Sequence, residues 1–188
     1  MRIRKTVGIG LILAAAGLLA SCSDDPVATT DLIVIQLSGI KESDVVDGTV
    51  AKSKNISTEV ANPYHAFLVE TRRVLGRDPS TIRVESVQIT LDGSTVGLSS
   101  FGELFNADAR VFIDADVGGT VYVGTVNSPA GTGPVTLETT ATEESLQPIF
   151  AALLSGDFRV GVRGTTLRTA TDDFDARVDV RIGFAAYE

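Results

Sequence analysis

The clearest pattern in the sequence is an alternation over residues 174–187, and it limits the fold more than any other feature. Apolar side chains stand at every second position: Phe174, Ala176, Val178, Val180, Ile182, Phe184 and Ala186. Because successive side chains of a β-strand point to opposite faces of a sheet, this alternation predicts one long strand with a buried face. Patterns of the same period dominate the rest of the domain.

Shorter segments with this period come earlier in the chain, separated by turn residues. They cover residues 31–37, 81–91, 109–117, 120–126, 135–140 and 157–163. Residues 31–37 are apolar on both faces, as expected of an interior strand. The apolar phase of residues 81–91 shifts near Glu85 and Ser86, which indicates a bulge or a strand covered on both sides. Together, about seven short strands predict an all-β, mainly antiparallel β-sandwich, immunoglobulin-like only in its loose architecture.

One longer segment, residues 62–75, predicts an amphipathic helix. Asn62 is a typical N-cap before Pro63, and Gly76 is a typical end. The apolar face at helical spacing consists of Tyr64, Phe67, Leu68, Thr71, Val74 and Leu75. We expect the helix to pack against the sandwich or one of its open ends through Tyr64, Phe67, Leu68 and Leu75.

A second, shorter helix is predicted over residues 146–155. Thr142 or Ser145 can cap it, and Gly156 ends it. Pro148 is tolerated because it falls in the first turn. A single helical turn is also predicted over residues 100–105.

Charged residues suggest how the last two strands would pair if they form a hairpin. With their apolar faces buried, Arg163 would lie opposite Asp175, and Arg159 opposite Asp179. Cross-strand pairs contribute only about 0.2–1 kcal/mol each, so they select the register without determining the buried face. The alternative is that these charges are solvated and do not interact.

The N-terminus predicts export. A basic start over residues 1–6 precedes an apolar stretch, residues 7–19, that is too short to span a bilayer. The tetrapeptide Leu19-Ala20-Ser21-Cys22 that follows resembles the lipobox of bacterial lipoproteins. The resemblance implies cleavage between Ser21 and Cys22, a diacylglycerol on the Cys22 thiol and an acyl chain on its amine. The alternative is an ordinary export signal with a cysteine near its cleavage site.

This resemblance divides the chain into three parts: a signal peptide (residues 1–21), a lipidated cysteine with a tether (residues 22–30) and a single β-sandwich domain (residues 31–188). Two smaller domains are the alternative for the last part. In enterobacterial lipoproteins an aspartate after the cysteine favours retention in the inner membrane. The residue here is Ser23, so the outer membrane is favoured.

Composition limits the possible chemistry. The chain has 24 acidic and 16 basic residues, and loss of Arg2, Arg4 and Lys5 with the signal leaves a net charge of −11. Such a chain repels phosphate backbones, which argues against nucleic acid as a partner. With one cysteine and one histidine, His65, the chain cannot build an internal disulfide or a Cys/His zinc site. It also lacks the G-x-S-x-G, P-loop and H-E-x-x-H motifs.

Acidic clusters leave one candidate metal site. Asp172, Asp173 and Asp175 precede the last strand, and loop carboxylates of this kind can bind Ca²⁺. An acidic surface loop is the alternative. Asp114 and Asp116 begin like a calcium loop, but Gly118 and Thr125 stand where an EF-hand has a ligand and its final glutamate. No other cofactor is predicted.

The function favoured by these observations is a non-enzymatic lipoprotein of the cell envelope, with a structural or protein-interaction role. Its predicted partners are the membrane, through Cys22, and an unidentified envelope protein. One alternative is a ligand-binding module for glycans or calcium, which would be supported by an exposed cluster of Phe112, Tyr122 and Tyr187. Another is a hydrolase that uses carboxylates alone, which requires two acidic side chains in a deep cleft.

Overall fold

The computed structural model describes residues 25–58, 62–169 and 171–188. The strands of this part, in chain order, are β1 (Ala28–Thr29), β2 (Ile33–Lys41), β3 (Val45–Val46), β4 (Thr49–Asn55), β5 (Thr81–Leu91), β6 (Asp108–Ala115), β7 (Gly119–Asn127), β8 (Val135–Thr136), β9 (Glu138–Thr139), β10 (Arg159–Thr165) and β11 (Asp175–Tyr187). Its α-helices are α1 (Pro63–Leu75), α2 (Phe101–Leu104), α3 (Glu143–Leu146) and α4 (Phe150–Ser155).

The strands form two antiparallel sheets, and the predicted all-β sandwich is confirmed. In the first sheet β11 is central, with β5 and then β8 on one side and β2 and β1 on the other. The second sheet has the order β3-β4-β10-β6-β7-β9. Leu137, which is buried, separates β8 from β9, so the chain crosses from one sheet to the other at this residue.

The core confirms the alternation that predicted β11. Ala176, Val178, Val180 and Ile182 have no exposed surface. They share one hydrophobic core with the inward side chains of the second sheet, Val111, Ile113, Val160 and Val162. Burial of these apolar side chains between the sheets is the main source of stability for such a sandwich.

The predicted bulge in β5 is confirmed. Gly183 of β11 pairs with Ser86 and the next residue, Phe184, pairs with Val84, so Glu85 is the extra residue. An extra residue reverses the inward and outward faces of a strand. The shift of the apolar positions in the sequence is therefore a consequence of the bulge.

The interpretation of residues 31–37 as an interior strand is wrong. Within the described residues β2 pairs with β11 alone and lies at an edge of the first sheet. Only one face is buried, with Ile33, Ile35 and Leu37 inside. Leu32 and Val34 are 37% and 42% exposed. Their apolar character therefore does not reflect burial on both faces.

The amphipathic helix is confirmed and closes one end of the sandwich. The side chain of Asn62 accepts a hydrogen bond from the backbone N–H of His65 (3.1 Å), and Gly76 ends the helix with φ +69°. The ring of Tyr64 lies 4.9 Å from both Phe158, next to the second sheet, and Phe184 in the first. Helix α1 thus joins the two sheets.

Both helical segments differ slightly from the predictions, the first in the exposure of one side chain and the second in its starting residue. In α1, Tyr64, Phe67 and Leu68 are buried as expected and Leu75 is half-buried, but Val74 is 50% exposed. The second helical segment begins at Glu143, where Thr142 accepts from the N–H of Ser145 (3.2 Å). Pro148 lacks an N–H, and a 3₁₀ turn separates α3 from α4 at this point. The predicted turn near residues 100–105 is α2.

The proposed hairpin of the last two strands is wrong, because β10 and β11 belong to different sheets. Arg163 lies opposite Arg110 of β6 and Ala51 of β4, whereas Asp175 lies opposite Lys41. The nine residues between the strands allow the chain to cross from one sheet to the other. Cross-strand charge pairs are too weak to oppose burial of the two apolar faces.

Two adjacent glycines at the β6–β7 turn provide a test of local packing. Both have positive φ, +95° at Gly118 and +77° at Gly119. A methyl group on Gly118 would overlap the backbone carbonyl of Pro148, whereas one on Gly119 would meet open space. We expect Gly119→Ala to cost about 1–2 kcal/mol of unfolding free energy, from backbone strain alone. Gly118→Ala should cost about 2–4 kcal/mol, because overpacking adds to the strain.

Urea unfolding of the two variants measures this difference. The close contact between the β6–β7 turn and Pro148 would be contradicted if the two alanine variants were equally stable.

Candidate functional site

The proposed lipidation and cleavage residues, Cys22 and Ser21, lie outside the described residues. The fold begins earlier than the predicted tether implied. Val27 donates its N–H to the carbonyl of Ala186 (2.8 Å), and Ala28 and Thr29 form β1 beside β11. The segment between Cys22 and the sandwich is therefore four residues long, residues 23–26, rather than eight.

Among the described residues no helix is long and apolar enough to cross a membrane.

Among the residues that the structure describes, Asp172, Asp173 and Asp175 are not brought together as a metal site. The carboxylate of Asp172 accepts the N–H of Thr169 (2.7 Å), and that of Asp175 lies 3.4 Å from the Lys41 ammonium. Within residues 25–58, 62–169 and 171–188, no three acidic, histidine or cysteine side chains are arranged to hold a metal ion. Adjacency in the sequence therefore did not bring these carboxylates to one point.

Asp114 and Asp116 are bound by an arginine. Arg159 contacts Asp114 at 3.2 Å and Asp116 at 2.5 Å. Together with Asp157 they line a cavity of only about 30 Å³, enough for a water molecule rather than a sugar. This arrangement lends no support to a hydrolase that would use these carboxylates.

Ionisable groups with shifted pKa values do not converge on a cleft. Burial raises the pKa of Tyr64 far above its usual range, and its hydroxyl donates to the carbonyl of Leu153 (3.0 Å). A hydrogen bond from Arg73 lowers the pKa of Glu70, which lies on exposed helix surface. His65 is also exposed on α1. The Tyr64 hydroxyl and the Glu70 carboxylate therefore serve local structure.

A surface groove of about 720 Å³ lies between α1 and the edge strand β2 and is here called the α1–β2 groove. Thr29, Leu32, Val34, Gln36, Pro63, Ala66, Phe67 and Glu70 contribute to its lining. Leu32 and Val34 give it exposed apolar surface beside a strand edge that, in the described part of the chain, has no partner strand. An edge of this kind can pair with an additional strand.

A second candidate surface lies on the outward face of the second sheet. Phe112 and Tyr122 face each other edge to face with ring centroids 6.3 Å apart. Gly161 lies opposite Phe112 on β10, and a side chain there would overlap the Phe112 ring. Tyr187, the third aromatic of the expected cluster, lies on the first sheet instead. Its hydroxyl donates to Glu85 (2.9 Å).

The aromatic pair adjoins a pocket of about 290 Å³, here called the Arg110–Arg163 pocket. It is lined by Thr49, Asp108, Arg110, Tyr122, Arg163, Gly164 and Thr165. Sequence reasoning missed this pocket. Both arginines occupy outward positions of predicted strands, where a charge is most often solvated, and only the pairing of β6 with β10 brings them together.

Comparisons with known proteins add little to this geometry. No protein-family model and no curated protein matches the chain. One solved structure, titled Desmodium yellow mottle tymovirus, matches with 10% sequence identity and covers 100% of this chain and 97% of its own. Its TM-score is 0.22. This likeness carries no argument about fold or function.

Proposed function

We propose that this chain is a lipoprotein of the bacterial cell envelope, held in the outer membrane by lipid on Cys22, and that its β-sandwich has a non-enzymatic protein-interaction role. The observation that carries the proposal is the order of the N-terminal features. A basic start, a short apolar stretch and Leu19-Ala20-Ser21-Cys22 follow one another at lipobox spacing, and Cys22 is the one cysteine in the chain.

The physical chemistry of anchoring supports two or three lipid chains on Cys22. A single acyl chain holds a protein only weakly, whereas each buried CH₂ of further chains adds about 0.8 kcal/mol. The domain is acidic, so it gains nothing from an anionic lipid surface. Five residue steps separate Cys22 from Val27, at most about 18 Å, so the β1 end of the sandwich would stay close to the bilayer.

The α1–β2 groove is the surface at which we expect a partner protein to bind. Strand β2 offers an edge for backbone pairing, and Leu32 and Val34 offer apolar contacts beside it. An extended segment of another protein fits both features, because strand addition uses main-chain hydrogen bonds and seats alternate side chains. The groove is also lined by Thr29 of β1, near the anchored end of the chain.

Site-specific photo-crosslinking in the native envelope tests this surface. A photoreactive residue in place of Val34 should form one protein adduct, mapped by mass spectrometry to an extended segment of the partner. A synthetic peptide of that segment should compete with it. The control position is Val117, which is apolar and 82% exposed but lies outside the groove. The same adducts from both positions, or none from position 34, would contradict the proposed surface.

The proposed outer-membrane location predicts the effect of one substitution. In an enterobacterial host, Ser23→Asp should move the protein from outer-membrane to inner-membrane fractions of a density gradient, whereas Ser23→Ala should leave it in the outer membrane. An aspartate variant that stayed in the outer membrane would contradict the rule on which this location rests.

A further inference from the structure

The Arg110–Arg163 pocket has an unusual arrangement of charge. Arg163 lies directly opposite Arg110 in the ladder between β10 and β6, where Cβ atoms are about 4.5–5.5 Å apart. Nε of Arg110 lies 2.9 Å from Oδ2 of Asp108. The side chain of Arg163 is exposed and has no ion pair or hydrogen bond with any described residue. The Arg163 guanidinium therefore lies unpaired beside that of Arg110.

This free charge favours an anionic ligand. The chain as a whole is acidic, with a net charge of −8, yet this pocket contains two arginines and one carboxylate. Like charges placed directly across a ladder destabilise a sheet unless something compensates them. A guanidinium binds a carboxylate through two parallel hydrogen bonds, which makes arginine well suited to recognise this group.

The aromatic side of the pocket favours a sugar ring. Tyr122 is 36% exposed, and the Arg110 guanidinium carbon lies 5.6 Å from the centre of its ring. Phe112 is half-buried beside it and extends the apolar surface. Because Gly161 has no side chain, the Phe112 ring lies over it and extends the apolar surface onto β10. The C–H face of a pyranose packs well on a surface of this kind.

We propose that the outward face of the second sheet binds a carboxylate-bearing sugar of an acidic glycan. Arg163 and Arg110 hold the carboxylate, and Tyr122 packs against the ring. The pocket volume, about 290 Å³, is close to the lower end of the range for small-molecule sites, about 300–1,000 Å³. A further depression of about 500 Å³ adjoins Arg163 and shares Thr49 with the pocket, and Asp44 and Asp47 also line it. It leaves room for a neighbouring sugar unit whose own carboxylate points away from Asp44 and Asp47.

Calorimetric titration of the full chain in detergent tests the proposal. The probes are short oligomers of galacturonate, glucuronate and mannuronate, with the methyl ester of each as the uncharged counterpart. We expect at least one oligomer to bind, and its methyl ester to bind at least tenfold more weakly. Arg163→Gln and Arg110→Gln should each weaken binding about tenfold or more, and Tyr122→Ala about fivefold.

The control variant is Arg77→Gln, which removes the same charge from the loop after α1, where Arg77 pairs with Glu188 at 3.0 Å. Its affinity should equal that of the wild type. Arg163→Gln should unfold at or slightly above the wild-type temperature, because its side chain has no partner to lose among the described residues and the change removes a like charge opposite Arg110. Failure of every oligomer to bind would overturn the proposal, as would equal binding of the methyl esters. Equally tight binding of poly-glutamate or inorganic phosphate would assign the arginines to an acidic peptide or a free anion instead.

Discussion

Replacing Tyr64 with alanine is expected to lower the free energy of unfolding by about 3–5 kcal/mol, the usual cost of removing a large aromatic side chain from a core. Tyr64 has no exposed surface, and its ring contacts Phe67, Phe158 and Phe184 with centroids 4.9–5.6 Å apart. These rings come from α1, from β11 of the first sheet and from the residue that precedes β10 of the second sheet. The cavity would therefore open where three parts of the fold meet, and urea unfolding followed by circular dichroism measures the loss.

Two further variants separate the contributions to that loss. Tyr64→Phe keeps the ring but leaves the carbonyl of Leu153 without its 3.0 Å hydrogen bond, and should cost about 1–3 kcal/mol. Val69→Ala changes an apolar residue of the same helix that is 51% exposed, and should stay within about 0.5 kcal/mol of the wild type. If Tyr64→Ala cost no more than Val69→Ala, helix α1 would not close the sandwich as described.

Replacing Cys22 with serine is expected to abolish stable membrane attachment. The thiol is the atom that the diacylglycerol modifies in lipoproteins, and serine does not offer it. The cell should then retain an uncleaved precursor or release a soluble domain, depending on whether another signal peptidase accepts the site. Incorporation of labelled palmitate should fall from readily detected to background, and the cleaved protein should move from the membrane pellet to the supernatant.

The same substitution should leave the folded domain unchanged. The first residue hydrogen-bonded into the described sheet is Val27, five positions beyond Cys22. The unfolding curve of the released Cys22→Ser domain should therefore match that of the wild-type domain. Ser23→Ala is the control and should incorporate palmitate normally. A serine variant that was still labelled and still sedimented with membranes would contradict the proposed anchor.

Local patterns predicted the local structure of this protein well. The alternation over residues 174–187 predicted the central strand, the phase shift at Glu85 predicted the bulge, and Asn62 with Gly76 predicted the ends of α1. Each of these features depends on side chains close in sequence. Periodicity reports which face of a strand is buried, and capping residues satisfy backbone groups within one turn.

Strand partners could not be predicted in the same way. The pattern of β10 shows that Val160 and Val162 face inward, but it does not show whether β11 lies beside that strand or across the core from it. The edge position of β2 was missed for a related reason. Leu32 and Val34 are apolar and yet partly exposed, and sequence alone does not distinguish them from buried residues.

The candidate sites show the same limit. Asp172 and Asp175 are neighbours in the sequence, but one caps a turn and the other pairs with Lys41. Arg110 and Arg163 are 53 positions apart, and only the β6–β10 ladder places them together. Nothing in the spacing of the two arginines could have indicated a shared pocket.

Mass spectrometry of the native N-terminus tests the central claim most directly. The protein, extracted from the envelope of its own cell with detergent, should lack residues 1–21 and begin at Cys22. The N-terminal peptide should carry a diacylglycerol on the Cys22 sulfur and an acyl chain on its amine. An unmodified Cys22, or a mature chain that begins at another residue, would contradict the proposal that lipid anchors this domain.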